Sequence, residues 1–328
     1  FFVNKSVLIP RPETEQIVEE SLNFLPKDKA RNILDIGSNR GDFIKYAASF
    51  NKVKSVSAVE PDPNIIDYKG VPKVEIHQER FENFISHNDQ KFDFIFCNHT
   101  LEHVDDPYLV LSQAKNVLKE SGFVLIDVPN IEFISNQFIV EEFFIDKHKF
   151  HFSENSIEYL FNKSNFFVKE KFINNANMTY ILTTKDTGYH YTKDELKDST
   201  YYKTLLTKYE ENLRNTRNKL SEIVKKNIEP FLLNNKVAIW GGGRILDSLI
   251  KYGDLKLSRE ELIVDSYLYN ISGDIDKKPK EMEIKNPKEL EEFKPDVLFI
   301  LANSAEVEIS KEAKKIGINK IICFSELF

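Results

Sequence analysis

The sequence predicts an α/β protein: a doubly wound Rossmann-like domain, a long connecting helix and a second, smaller Rossmann-like domain. Apolar runs typical of strands alternate with helical stretches from Ile33 to Asn130, and the alternation starts again at Lys236. This alternation is typical of a parallel sheet with helices on both faces. A chain of 328 residues is also too long for one ordinary core. The expected boundaries are a lid segment (1–30), a first domain (31–190), a helical connector (191–232) and a second domain (233–328).

The composition argues against several classes of function. The chain has 45 basic and 52 acidic residues and a formal charge of -7, which disfavours nucleic acid as a partner. Cys97 and Cys323 are too few for a disulfide framework or a multi-thiolate zinc site, so no metal is expected. No apolar stretch approaches the roughly 20 residues that span a bilayer. We therefore expect a cytoplasmic protein without a membrane partner.

The first domain is predicted to contain five strands, several helices and a closing hairpin. The strand segments are NILDIG, SVSAVE, KVEIHQ, FDFIFCN and GFVLIDVPN. A helix should begin after Ser153, a favourable N-cap, with Glu154 in its first turn. FFVKEKF and MTYILTTK are then expected to pair as a hairpin. Residues 12–25 have helical spacing and should form a helix that leads into this domain.

Residues 194–228 are predicted to form one long helix. Its apolar positions are Leu206, Tyr209, Leu213, Leu220 and Val224. One seam of about five apolar positions is short for a coiled coil, so the helix should pack between the domains, with homodimerisation left open. The second domain then follows with the strand segments KVAIWGGG, ELIVDS, DVLFILAN and KIICF.

The segment LDIGSNRGDF indicates a nucleoside site at the end of the first strand. The candidate residues in it are Asp35, Gly37, Ser38 and Gly41. Glycine lets the backbone approach a ligand closely. Glu60, followed by Pro61, ends the second strand, where a carboxylate can accept hydrogen bonds from both ribose hydroxyls. The spacing Asp-x-Gly-x-x-x-Gly differs from the dinucleotide fingerprint, which favours S-adenosylmethionine (SAM) as the cofactor.

Several segments together resemble the class I SAM-dependent methyltransferases. They are Asp35 to Phe43, Ala58 to Asp62, CNHTLEHVDDP, LKESGFVLIDVPN and HFSENSIEYLF. The resemblance covers nearly all of the first domain. It implies that three residues lie beside adenine: Glu79, Arg80 and Phe81. It also implies that Asn98, His99 and Leu101 lie under the methionine end of SAM and that His103 helps to close the site. The alternative interpretation is that Glu79 and Arg80 lie in a solvated loop without a ligand contact.

The segment HKFHFS supplies two candidate bases, His148 and His151. If the segment is extended, these histidines point to opposite faces. The chain resembles the sugar C-methyltransferases that act on nucleotide-linked ketosugars, and this resemblance matches His148 to their proton-removing histidine. Lys147 stands where their glutamate is, and their four-cysteine zinc segment is lacking. O-methylation is therefore as reasonable as C-methylation, and the structural alternative for both histidines is an aromatic strand edge.

The first 20 residues resemble a different group, the release-factor glutamine methyltransferases, through the segment LIPRPETE. Those enzymes grip an amide with an Asn-Pro-Pro-aromatic motif after the fourth strand. This chain has Asn98, His99, Thr100 and Leu101 there, so glutamine specificity should be lost. Arg11 is therefore expected in a lid segment over SAM and is counted among the substrate-binding candidates.

The second domain is predicted to bind an anion at WGGGRI, where backbone N–H groups, a helix dipole and a guanidinium converge. The candidate substrate-binding residues are Gly242, Gly243, Arg244, Asp265 and Asn303. Leu246 replaces the third glycine of a dinucleotide fingerprint, which disfavours a second NAD or SAM site. Two roles for the second domain are supported equally: it holds a phosphate or nucleotide of the substrate, or it is purely structural.

These features predict an enzyme that methylates carbon or oxygen of a sugar or nucleotide-linked sugar in saccharide biosynthesis. The N-terminal segment favours an alternative substrate, a protein amide or side chain. A third hypothesis, from another class of function, is a binding protein that keeps the SAM fold without catalysis.

Overall fold

The computed structural model describes residues 31–63, 66, 68–135, 148–173, 177–189, 191, 199–258, 260–270, 283–302 and 305–327. These residues divide into two compact units, and the division falls between Lys203 and Thr204, inside the predicted connector. The first unit also includes the residues from 148 to 203. The predicted lid segment with Arg11, and the predicted site residue Asn303, lie outside the described residues, as does Lys147.

Seven strands form the sheet of the first unit. They are β1 (Arg31–Ile36), β2 (Val53–Val59), β3 (Val74–His77), β4 (Phe92–Asn98), β5 (Leu118–Pro129), β6 (Phe167–Ile173) and β7 (Asn177–Thr183). Their order is β3-β2-β1-β4-β5-β7-β6; β1 to β5 pair in parallel, and β7 runs antiparallel to both β5 and β6. The Rossmann-like sheet and its closing hairpin are confirmed. The chain changes direction of winding between β1 and β4, and ligands bind such sheets at the carboxyl ends of strands at this point.

Four helices cover the two faces of this sheet. They are α1 (Asp42–Ser49), α2 (Phe81–His87), α3 (Pro107–Val117) and α4 (Glu154–Lys163). Ile33 lies in one core with Ile44 of α1, whereas the next residue, Leu34, lies in another core with Phe84 and Val110. Adjacent residues of β1 are therefore buried on opposite faces, which is why its sequence is almost continuously apolar.

The start of α4 follows the prediction. Ser153 Oγ accepts a hydrogen bond from Ser156 N at 3.2 Å, and Ser156 Oγ accepts one from Ser153 N at 2.9 Å. This reciprocal pair is a capping box, which satisfies two N–H groups that the helix itself cannot satisfy.

The second unit contains a five-stranded parallel sheet, in which four strands were predicted and the two-residue strand Ile284–Lys285 was not. Its strands are β8 (Val237–Trp240), β9 (Leu262–Val264), β10 (Ile284–Lys285), β11 (Val297–Ile300) and β12 (Ile321–Cys323), in the order β10-β9-β8-β11-β12. Its helices after the connector are α7 (Arg244–Lys251), α8 (Ser266–Asn270), α9 (Leu290–Phe293), α10 (Glu306–Lys315) and α11 (Phe324–Leu327).

The connector departs from the predicted single helix. It comprises α5 (Ser199–Ile223), a π-helical turn (Val224–Ile228) and α6 (Glu229–Leu232). The prediction that Leu206 belongs to the apolar stripe is wrong: its side chain is exposed, and Leu205 is buried instead. Leu205, Tyr209 and Leu220 repeat at helical spacing, and Leu206 lies off that face. None of the described helices is both long and apolar enough to cross a membrane.

A buried ion cluster joins the amino-terminal ends of β1, β4 and β5. Asp93 lies 3.1 Å from Arg31 Nη1, and it accepts hydrogen bonds from Asn32 N at 2.9 Å and Lys119 Nζ at 2.7 Å. The Arg31 and Asp93 side chains are each only 7% exposed. Burial alone would raise the pKa of Asp93, but the hydrogen bonds from Lys119, Asn32 and Arg31 outweigh it and lower this pKa.

We expect Asp93→Asn to lower the free energy of unfolding at pH 7 by about 3 kcal/mol, because Arg31 would remain buried without its charged partner. Since the pKa of Asp93 is lower in the folded state, the wild-type protein should lose this contribution as the pH falls below about 4. Urea unfolding of both proteins between pH 7 and pH 3 measures the effect, with the exposed Asp89→Asn as control. Equal stabilities at pH 7 would contradict the role given to this cluster.

Candidate active site

The turn between β1 and α1 has three residues with left-handed backbone: Gly37 at φ 73°, Asn39 at 48° and Gly41 at 74°. A Cβ atom at Gly37 would collide with the side chain of Thr100, and one at Gly41 would collide with the ring of Tyr68. These glycines were predicted to leave space for a ligand, but the space beside each glycine is filled by a protein side chain. Positive φ and close packing within the protein already require glycine at both positions.

Two carboxylates lie at the ends of β1 and β2, where they were predicted. Glu60 is buried and accepts hydrogen bonds from Asn39 N and Asp62 N, each at 2.9 Å. Asp35 is 2% exposed, and burial, together with the nearby charge of Glu60, raises its pKa well above the ordinary value. Pro61, the neighbour of Glu60, is exposed. Glu60 thus both holds the glycine turn and adds negative charge beside it.

Tyr68 is a part of this turn that the sequence analysis missed. Its ring packs against Gly41, and its hydroxyl lies 2.6 Å from Ser38 Oγ. The tyrosine is only 1% exposed. Its position in a loop without an apolar pattern gave no signal, because the contact depends on how the loop after β2 folds back.

The three residues predicted beside adenine have different environments. Glu79 lies 3.0 Å from His87 Nε2, and Arg80 lies 2.7 Å from Asp105 with most of its side chain in solvent. Phe81 is 5% exposed and belongs to the hydrophobic core. Arg80 therefore also fits the alternative of a solvated loop, and the adenine contact of all three stays a prediction.

The residues that follow β4 contact the glycine turn. Thr100, which contacts Gly37, donates from Oγ1 to Ile36 O at 3.1 Å and to Asn98 O at 3.0 Å. Leu101, predicted to lie under the methionine end of SAM, has no exposed surface and belongs to the core. The segment after β4 is thus fixed to the end of β1 by a side-chain contact and hydrogen bonds.

Four of the six histidines that the structure describes gather around Glu102, a residue that the sequence analysis did not single out. His99 Nδ1 lies 3.3 Å from Glu102 Oε1, and His103 Nε2 lies 3.9 Å from the same oxygen. The His148 ring centroid lies 4.8 Å from that of His103 and 5.9 Å from that of His151. Glu102 is 1% exposed. We call these five residues the histidine cluster.

Hydrogen bonds to the Glu102 carbonyl explain how His148 and His151 reach the same place. Lys149 N and Phe150 N donate to this oxygen at 2.9 and 3.1 Å. The segment bends at Lys149 and is not extended there, so the separation of the two histidines that an extended segment would give does not apply. Nothing in the local sequence indicates the bend, since its acceptor lies in the loop after β4.

Burial favours the neutral imidazole at two histidines of the cluster, His148 and His151. Burial lowers the pKa of His148; Glu102 opposes this shift, and the neighbouring histidines add to it. Burial also lowers the pKa of His151 against the opposing effect of Glu102. A neutral imidazole can accept a proton or coordinate a metal ion, and a protonated one can do neither.

In the second unit, the predicted anion site is partly occupied by the protein's own carboxylate. Asp265 accepts hydrogen bonds from Gly242 N at 3.1 Å and from Leu268 N at 2.9 Å. Gly243 and Arg244 are exposed at the start of α7. A carboxylate at the glycine turn repels a phosphate, so this geometry weakens the case for an anion there, and the role of these residues stays a prediction.

The strand order of the first unit is typical of the Rossmann-like methyltransferase fold. A family model described as a methyltransferase domain matches residues 13–171, and one described as C2185-like, N-terminal, matches residues 233–322. The match over residues 13–171, just under half of the chain, supports the predicted class I SAM-dependent methyltransferase domain. The predicted family is thereby confirmed, and with it SAM as the cofactor that these methyltransferases use.

Curated relatives of this methyltransferase include the release factor glutamine methyltransferases of Buchnera aphidicola and Salmonella typhimurium. They are 33% and 32% identical, each over 38% of this chain, and the matches cover 43% and 56% of the two relatives. The chain thus spans about half the length of the curated relatives it matches. The resemblance to sugar C-methyltransferases stays a prediction.

Similar solved structures include an S-adenosylmethionine-dependent methyltransferase from Clostridium acetobutylicum, with a TM-score of 0.42 and 16% identity over 54% of this chain and 92% of that one. Another is the 1,6-didemethyltoxoflavin-N1-methyltransferase of Burkholderia thailandensis, which was solved with S-adenosylhomocysteine. Its TM-score is 0.41 and its identity 15%, over 54% of this chain and 78% of that one.

Replacing Gly37 by alanine should destabilise the first unit, because the new Cβ meets Thr100 and the residue keeps a positive φ. Adding Thr100→Ala should restore part of the loss, since it removes the two closest atoms, Oγ1 and Cγ2. The backbone strain of about 1–2 kcal/mol and the loss of the Thr100 hydrogen bonds to Ile36 O and Asn98 O remain. Unfolding free energies of the two single variants and the double variant measure this coupling. Strictly additive effects would show that the two residues do not meet.

Proposed function

We propose that the chain binds SAM at the ends of β1 and β2 and transfers its methyl group to a hydroxyl oxygen or an acidic carbon of a sugar or nucleotide-linked sugar. The observation that carries this proposal is the histidine cluster at the end of β4. It brings proton-accepting side chains to the edge of the sheet where this family holds its cofactor. Such groups are needed by a nucleophile that must lose a proton as it attacks.

The charges at the glycine turn support the cofactor's position. Glu60 is held by two backbone N–H groups, and its remaining lone pairs can accept hydrogen bonds from the ribose hydroxyls. Asp35, whose pKa is raised by burial and by Glu60, would be stabilised in its charged form by a nearby cation. SAM carries positive charge on its sulfonium and on its amino group. The buried negative charge therefore matches this cofactor.

The contact between Thr100 and Gly37 supports the position of the acceptor substrate. It places the segment that contains His99 and Glu102 next to the turn on which the methionine end of SAM would lie. The sulfonium is already a reactive electrophile, so alignment with the nucleophile would supply much of the rate. The cluster would orient the substrate and accept its proton, with His148 and His151 as the candidate bases.

The named relatives favour a second candidate, methylation of a glutamine side chain in a protein. The site differs from the pattern those enzymes use for amide recognition. His99 is held between Glu102 and Asp127, at 3.3 Å from each carboxylate, and Leu101 is buried in the core. His99, Thr100 and Leu101 stand in place of the two prolines and the ring, and ionisable side chains gather beside them, so we favour a substrate with an ionisable hydroxyl or carbon acid. A SAM-binding protein without catalysis is the third candidate.

Glu60→Gln should weaken SAM binding by tenfold or more, because hydrogen bonds to a charged group contribute about 1.5–3 kcal/mol. Isothermal titration with SAM and with S-adenosylhomocysteine measures the two affinities. Glu75→Gln, at a position on β3 where the side chain is 70% exposed, is the matched control. Equal affinities for SAM in the wild-type, Glu60→Gln and Glu75→Gln proteins would contradict the assignment of Glu60 to the cofactor site.

His151→Ala and His148→Ala should each lower turnover at least 100-fold while the affinity for SAM stays within about threefold, because proton acceptance contributes about 10²–10⁴-fold. Transfer of labelled methyl from SAM to a panel of sugars and nucleotide sugars, and to release factor as protein acceptor, measures the activity. Label in the protein fraction alone would select the glutamine substrate. Tight SAM binding without label in any fraction would favour the non-catalytic candidate.

A further inference from the structure

Three residues of the histidine cluster are arranged as a set of metal ligands. Glu102, His103 and His148 each offer one donor atom, and these atoms all lie within 4.8 Å of one another. Donors around a first-row ion, at about 2.0–2.2 Å from it, are separated by roughly 3–4 Å. Side-chain rotations that shorten the distances between the donor atoms by about 1 Å would therefore give the spacing of a bound ion.

Two of these three residues each carry a polar side-chain atom that is buried without a hydrogen-bond partner among the residues that the structure describes. The two atoms are Glu102 Oε2 and His148 Nδ1. Buried polar atoms are nearly always hydrogen-bonded, and an unsatisfied carboxylate oxygen is among the costliest to bury. Both atoms belong to the same cluster, so one ligand between them would satisfy both.

We propose that Glu102, His103 and His148 bind a divalent first-row transition metal ion of the zinc type. Imidazole nitrogen with carboxylate oxygen is a donor combination typical of Zn²⁺, Fe²⁺ and Co²⁺, and it differs from the all-oxygen sets of Mg²⁺ and Ca²⁺. The side chain of His103 is 37% exposed, so the site keeps a side open to a substrate or water. Three protein ligands and an open position are typical of catalytic metal sites rather than structural ones.

His99 is not one of the proposed ligands, but it holds the carboxylate of Glu102 in position. Its two ring nitrogens lie 3.3 Å from Glu102 Oε1 and 3.3 Å from Asp127 Oδ2, and Asp127 accepts a hydrogen bond from Thr179 at 2.5 Å. His99 thereby occupies one oxygen of Glu102 and leaves the other for the ion. Hydrogen bonds of this kind orient metal-binding carboxylates.

The catalytic consequence rests on the proposed function, whereas the metal site itself does not. The ion would bind the hydroxyl group of the substrate and lower its pKa. The oxygen would form its bond to the methyl carbon as the carbon–sulfur bond of SAM breaks, and the hydroxyl proton would pass to His151, which lies outside the ligand set. The products would be the methylated substrate and S-adenosylhomocysteine. His148 would then act as a ligand and His151 as the base.

Titration of the untagged, chelator-treated protein with Co²⁺, without SAM, tests the site. We expect one equivalent to bind and to give visible absorption bands typical of a nitrogen- and oxygen-ligated ion. The affinity should fall at least 100-fold in His103→Ala and in His148→Ala, and about tenfold in His99→Ala. His87→Ala, at a histidine on α2 outside the cluster, is the matched control and should bind Co²⁺ as the wild-type protein does.

Glu102→Gln keeps the shape of the buried side chain and should also abolish Co²⁺ binding, with thermal unfolding used to verify its fold. Zn²⁺ should displace Co²⁺ from the wild-type protein and bleach the bands. Absence of the bands, or equal affinity in His103→Ala and His148→Ala, would overturn the proposal. Since no SAM is present, this outcome is separate from a failure of SAM binding, which the titration of the Glu60→Gln protein reports.

Discussion

The buried Glu102 is the residue on which the candidate active site depends. Its carbonyl oxygen accepts hydrogen bonds from Lys149 N and Phe150 N and so draws the segment with two histidines toward the end of β4. Its carboxylate, 1% exposed, holds His99 at 3.3 Å. A carboxylate is costly to bury unless it is compensated by partners of opposite charge or by hydrogen bonds. His99 compensates one oxygen of this carboxylate, and the metal ion that we propose would compensate the other.

The glycine turn and the histidine cluster are not independent sites, because they meet where Thr100 packs against Gly37. The turn is further fixed by Glu60 through Asn39 N and by Tyr68 through Ser38. A shift of the segment after β4 must therefore disturb the turn, and a change in the turn must disturb that segment. Rigid side chains around reacting groups preserve the alignment that a direct transfer between two substrates requires. The glycine turn, where we propose that SAM binds, is thus structurally coupled to the segment after β4, which would face the acceptor substrate.

The sequence was sufficient for the fold because its information there is local. Apolar runs, helical spacing and a cap such as Ser153 depend on neighbouring residues, and they predicted both sheets, the hairpin and the start of α4. The positions of Gly37 and Glu60 at strand ends follow from the same pattern. Glu102, Tyr68 and the hydrogen bond from Gly242 to Asp265 could not be found in this way, because each depends on a contact between distant segments. Leu206 was misplaced for a different reason: two adjacent leucines fit the helical spacing almost equally well, and only packing distinguishes them.

Likeness to the class I methyltransferases indicates the electrophile, the methyl group of SAM, but does not indicate the nucleophile, which depends on the residues after β4. The glycine turn and the carboxylate of Glu60 can serve any SAM-dependent transfer, so likeness in this region to glutamine methyltransferases carries little information about the acceptor. A glutamine amide is neutral and needs positioning by hydrogen bonds and close packing. A hydroxyl, a carbon acid and an amide all lose a proton on methylation, so proton removal alone does not distinguish these acceptors, whereas the motif that grips an amide does. His99, Thr100 and Leu101 stand where the amide-gripping motif has its prolines and ring, and imidazoles gather beside them around a buried carboxylate. These residues after β4 support our proposal of a hydroxyl or carbon-acid acceptor.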